Sequence, residues 1–277
     1  MISRQAIPAL LNRVTHSLPS TLPTPTPYLL PLLTATTLGH GSLFLPACLA
    51  HAYDNLPPRP HKVEPEPRDP RLDEAAHPRR FVSRLVKESL VKSSILIGVP
   101  KAIETLLDLS ENVDPQDQSH SFVRERLDRS DSSTFHHRSE AGRAGLGTVY
   151  KGNIDDIFDT FSRGGLDDVR FFSEHITYGT FLTPFSDSTS STLPPSPDPF
   201  SYDRRLLSLV TLSCLIPQST PREILWHLRG ALRRGWTRDQ VEAVHRAIET
   251  VCESLGTNLS RDLPRVRDVD LQPEEQQ

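Results

Sequence analysis

The stretch His227-Leu-Arg-Gly-Ala-Leu232, with its flanks from 202 to 256, decides the fold. Just upstream, Asp203-Arg-Arg leads into Leu206, Leu207, Leu209, Val210, Leu212 and Leu215. That segment is apolar around most of its circumference, so it predicts a central helix over 203–215. Thr220-Pro221-Arg222-Glu223 spells a capping box with proline at the first helical position, predicting a second helix to Arg234 that stops at Gly235. Thr237-Arg-Asp-Gln240 is another capping box, and Val241, Val244, Ile248, Val251 and Leu255 continue it as an apolar stripe up to Gly256.

Working outward, Ile154, Ile157, Phe158 and Phe161 fall on one helical face over 153–162, with Asp155 and Asp156 in the first turn, where the helix dipole favours acids. Val169, Phe172 and Ile176 predict a further helix from about Asp167 to Tyr178. Val82, Leu85, Val86 and Leu90 form a stripe over 79–98, with Arg84, Lys87 and Glu88 outside it. Gly98-Val-Pro100 ends that helix and starts another, to about Leu109. Residues 28–53 are apolar and lack charge, predicting a buried helix broken near Gly39-His40-Gly41. No convincing strand is present. The predicted class is all-α.

The rest reads as spacer. Residues 54–78, rich in proline and charge, 110–145, with few apolar anchors, and 183–201, rich in Ser, Thr and Pro, read as insertions, and 257–277 as a disordered tail. Residues 1–27 hold Arg4 and Arg13, many hydroxyls and no acid, which fits a mitochondrial transit peptide or a disordered tail. Mitochondrion is therefore the expected compartment, with the cytoplasm as the alternative. One domain is expected from 28 to 256, with its core at 149–256.

Composition excludes several classes. A net charge of −4, with Lys and Arg interspersed among acids, argues against a nucleic-acid binder. No apolar run has the length of a membrane span. Cys48, Cys214 and Cys252 are far apart and form no C-x-x-C, so they fit neither a disulfide scaffold nor a zinc site, and read as small buried apolar residues. His136-His137, an adjacent pair without spaced partners, is a poor metal signal. Gly142–Gly147 lacks the context of a phosphate loop. No cofactor and no metal are expected.

Several of these blocks resemble the carboxymuconolactone decarboxylase / AhpD-like superfamily. Asp203-Arg204-Arg205 with the following apolar helix is similar to that family's entry to its central helix. His227–Gly235 with Thr237–Gln240 is similar to the next helix, turn and helix, and 149–183 to the segment before them. Leu90–Leu107 resembles the family's final helices but precedes the other blocks here, which implies a rearranged or partly duplicated helix set, as in larger fungal AhpD-like proteins. Of the AhpD reactive groups only His227 is retained: the cysteine positions fall on Thr220 and Glu223, and the acid position on Ser208. Peroxidase chemistry needs a thiolate, so the resemblance implies a fold more firmly than a peroxiredoxin-type activity.

Around His227 the expected chemistry is acid/base. Ile224, Leu225, Leu228, Ala231 and Leu232 form the stripe and His227 lies on its flank, where an imidazole titrates near neutrality. Glu223 at i−4 is placed to hold one ring nitrogen, and Arg234 lies two turns after His227 on the same side. Decarboxylation of a small lactone acid needs an apolar wall, a cation for the carboxylate and an acid to return a proton. His227 with Glu223 would serve as the acid/base pair, and Arg204, Arg205 or Arg229 would anchor the substrate, Arg229 only from a neighbouring subunit. Glu174 and His175 read as surface residues that can add acid/base groups. Trp226, opposite the stripe, implies that another helix or subunit covers it, and self-association is expected. The alternatives are a non-catalytic helical oligomer and a thiol antioxidant.

Overall fold

The computed structural model describes residues 2–54, 56–59, 64–128, 132–151, 153–184 and 196–270. Every regular element among them is helical, so the fold is all-α, as the periodicities require. At its centre lie α2 (Thr26–Thr37), α11 (Arg205–Leu215) and α13 (Arg238–Ser254), with α2 packed on both of the others. Every residue from Leu206 to Leu215 is buried. The buried hydroxyls of Thr36 and Thr37 donate to the carbonyls of Leu32 and Leu33, each at 2.8 Å, so they carry no unmet donor into the core. α2 ends at Gly39, whose φ of +80° suits glycine, and α3 (Gly41–Tyr53) follows.

The amino-terminal segment is no loose tail. Helix α1 (Ile7–Ser17) buries Ile7, Leu10, Leu11 and Val14 against α3 and α13. Of the expected tail at 257–277, Leu263, Val266 and Val269 are buried, while 271–277 lie outside the described residues.

Helices α4 (Pro70–Ala76), α5 (Pro78–Ile97) and α6 (Val99–Asn112) follow, the last two joined at Gly98, φ +89°. The face of α5 outside its apolar stripe is also buried, because charged partners cover it. Arg80 pairs with Asp73 at 2.6 Å, and Arg84 with Glu66 at 2.5 Å. Lys92 meets Asp198 at 3.0 Å and Glu88 at 3.2 Å, and Arg124 meets Glu88 at 2.9 Å. These pairs fasten the stretches at 64–69 and 196–200 onto α5. Of the expected insertion at 183–201, residues 196–200 are therefore buried, while 185–195 lie outside the described residues.

The expected insertion at 110–145 is helical over much of its length, with α7 (Glu125–Asp128) and α8 (Ser132–Tyr150). Helix α9 (Asn153–Arg163) follows, then α10 (Asp167–Phe171), which continues into a π-helix, Phe172–Leu182. The π-helix packs along α8, and α12 (Pro221–Arg233) packs on α8 and α11. The Thr237 capping box forms with both of its bonds, whereas the Thr220 side chain makes no capping bond.

Candidate functional site

Helix α12 carries Glu223, His227, Gly230 and Arg234 (its last cap residue) along one flank, at steps of three and four that share a face. That flank meets α8, and Val149 lies against Gly230. Tyr150 comes from the end of α8, Tyr178 from the π-helix and Ser208 from α11. The polar groups of four elements thus converge inside an otherwise apolar seam.

His227 is 3% exposed. Its Nε2 lies 3.4 Å from the Tyr178 hydroxyl, and its Nδ1 is buried without a hydrogen-bond partner. Glu223 Oε2 is 3.9 Å from Nε2, beyond hydrogen-bond length. Burial, with the Arg234 charge adding to it, pushes the imidazole down to about 3. This corrects the expectation of a near-neutral titration: α8 and the π-helix cover the flank that an isolated helix would leave half wet, so His227 is a neutral imidazole at physiological pH.

Glu223 moves the other way. Burial raises its carboxyl above the usual range, against a lowering hydrogen bond from Tyr150, whose hydroxyl donates to Oε2 at 3.5 Å. Its side chain keeps 41% of its exposure, so Glu223 stands at the solvent side of the group and His227 at the dry side. Burial holds both tyrosine hydroxyls protonated far above neutrality.

The expected anchors are placed differently. Arg204 is exposed, and Arg205 is taken up by Asp203 at 2.9 Å. Arg229 is half-buried, with its Nε unpartnered. Among the described residues no hydrogen bond or ion pair joins any of the three to His227. The cation that reaches the site is Arg234, whose Nη1 lies 3.4 Å from Ser208 Oγ. Burial lowers its affinity for its proton, and the neighbouring Arg204 charge acts in the same sense. Gly230 makes room for this guanidinium, since a Cβ there would lie 3.2 Å from Nη1.

Tyr150 and Tyr178 were not among the expected site residues. An α-helical stripe through Val169, Phe172 and Ile176 does not single out Tyr178, because the helix changes to π-geometry at Phe172 and the register changes with it. Glu174 is buried at the α8 seam and pairs with Arg143 at 3.5 Å and Arg170 at 3.8 Å, so it belongs to an ion-pair cluster and not to the wet surface. His175 is half-buried and stacks on Phe171 at 4.5 Å. Trp226 is covered within the chain by Tyr150, edge to face at 4.9 Å.

The three thiols are buried and unpaired. Burial raises Cys214 and Cys252 to about 12, and Cys48 further, so none is a thiolate at neutral pH. Among the described residues, no helix is long and apolar enough to cross a membrane.

No family model and no solved structure matches the chain. Peroxisomal protein 2 of Schizosaccharomyces pombe is similar to it, 24% identical over 178 residues that cover 64% of this chain and 73% of that protein.

Proposed function

We propose that the chain is an AhpD-like helical protein without thiol chemistry, whose site performs acid/base catalysis on a small organic acid of the lactone-acid kind. The observation that supports this reading best is the Tyr150–Glu223–His227–Tyr178 group, which runs from a partly exposed carboxyl to a dry imidazole with one free ring nitrogen. The roles differ from those expected of the residues alone. An imidazole held near 3 is no proton donor at neutral pH. Glu223, raised by burial, is the group that carries a proton to a developing enolate. His227 and Tyr178 position the dry end.

The test is carbon dioxide release from a panel of lactone acids and β-keto acids. Glu223→Gln is expected to lower kcat by about 100-fold or more, the usual worth of a general acid. No turnover with any member, or unchanged turnover in Glu223→Gln, overturns the reading. A non-catalytic helical oligomer is the second reading, favoured by the dryness of His227. Self-association is read from light scattering after sizing. It is supported by Val99, Ile103 and Leu107, which stand exposed one turn apart on α6.

For compartment, the name of the Schizosaccharomyces pombe relative supports the peroxisome, while the acid-free stretch 1–27 supports the mitochondrion. Fluorescent fusions at either end, imaged with markers of both organelles, separate these from each other and from the cytoplasm.

A further inference from the structure

We infer that Arg234, Arg204 and Ser208 form a binding site for a small oxyanion, a carboxylate or a phosphate. This rests on the acid/base reading in that it seats the anionic end of the substrate, but its evidence is separate.

Arg234 is a half-buried guanidinium for which no carboxylate serves as partner among the described residues. Elsewhere in this molecule buried cations are matched: Lys92 by Asp198 and Glu88, Arg80 by Asp73, Arg84 by Glu66. Arg234 has one long contact, to the Ser208 hydroxyl at 3.4 Å. A guanidinium presents five N–H donors in a planar fork suited to two oxygens of one anion. A second cation, Arg204, caps the start of α11, the helix that carries Ser208, and its charge lowers the proton affinity of Arg234. Arg204 and Ser208 lie one turn apart at the start of α11, so both face the same way. The other ionisable groups around Arg234 are neutral or occupied. Tyr178 and His227 are held uncharged by burial, Asp203 pairs with Arg205, and Glu223, whose carboxyl burial raises above its usual range, makes no ion pair with Arg234 among the described residues. A guanidinium without a counter-charge, a hydroxyl in contact with it and a second arginine one turn before that hydroxyl are what an oxyanion site requires. Arg234 is not sealed off, for it keeps part of its exposure, and Arg204 is exposed.

The test needs no turnover. The full chain is melted in sodium chloride, acetate and phosphate at equal ionic strength, over a concentration series, as wild type, Arg234→Gln and Arg204→Gln. A saturable rise in Tm above chloride is expected with acetate or phosphate, and the larger of the two identifies the anion. Arg234→Gln is expected to weaken it at least tenfold and Arg204→Gln severalfold. In chloride alone, Arg234→Gln is expected to melt no lower than wild type, because it removes an unmatched charge, whereas a structural arginine would cost stability. Equal rises in all three salts, or an acetate or phosphate affinity unchanged by Arg234→Gln, overturn the site. Should Arg234→Gln fail to fold, exposed Arg204→Gln carries the decision, and unchanged affinity there overturns it. Anion binding without turnover leaves this site standing and removes the acid/base reading. Turnover lost in Glu223→Gln without anion binding does the reverse.

Discussion

His245, in α13, is 0% exposed, and neither ring nitrogen has a hydrogen-bond partner. The nearest carboxylate, Glu249 at 3.9 Å, is already held by Arg265 at 2.8 Å. Burial, and then the Arg265 charge, push this imidazole down to about 4. An unfolded chain protonates the same ring near its ordinary value of about 6.5, so acid favours unfolding. The resulting stability is complete above that value and falls as pH drops towards 4, while His227 continues the loss towards 3. Glu223 has the opposite sign, its contribution fading as pH rises through its raised value, and its exposure keeps that term small. His245→Leu removes two unmet polar atoms at similar volume. It is expected to stabilise by about 1–2 kcal/mol at pH 7.5, and by more at pH 5, in denaturant unfolding. A loss of stability at both pH values would show that the ring does something its surroundings do not reveal. For His227 the sequence gives the flank of an apolar stripe and no more. Whether that flank is wet depends on α8 and the π-helix, which come from segments distant in the chain.

At the scale of elements, the seam between α8 and the π-helix decides where Tyr178 lies. A Cβ on Gly142 would overlap the Glu174 carbonyl oxygen and stand 2.7 Å from the Gly179 nitrogen, and one on Gly179 would stand 2.8 Å from the Glu174 oxygen. These are backbone atoms, which cannot turn aside. Gly142→Ala is expected to cost about 1–3 kcal/mol and to move Tyr178 off His227. Gly147→Ala, in the same helix with nothing within 4 Å of its Cβ, is the control. It should gain roughly 0.5–1 kcal/mol from helix propensity, and paired melting curves compare the two. Helices α11, α12 and α13 are legible from stripes and glycine stops. Helix α8 is not, because its apolar content is thin and tertiary packing holds it. The charged face of α5 reads as solvated for a related reason: its counter-ions, among them Glu66, Arg124 and Asp198, lie far off in sequence.

For the whole molecule, the early and late parts of the chain share one core. Helix α1 packs on α13, α2 packs on α11 and α13, and Gln240 donates to the Thr21 hydroxyl at 2.9 Å. The three thiols sample this arrangement widely, with Cys48 in α3, Cys214 in α11 and Cys252 in α13. Because each is sealed, a thiol-specific dye becomes a clock for opening. Native protein should take up almost no dye, and in mild denaturant all three sulfurs should label with a single time constant if the core opens as one body. Cys48 labelling well ahead of the other two would reveal an early lobe that detaches on its own, and peptide mapping of the dye would show which sulfur went first.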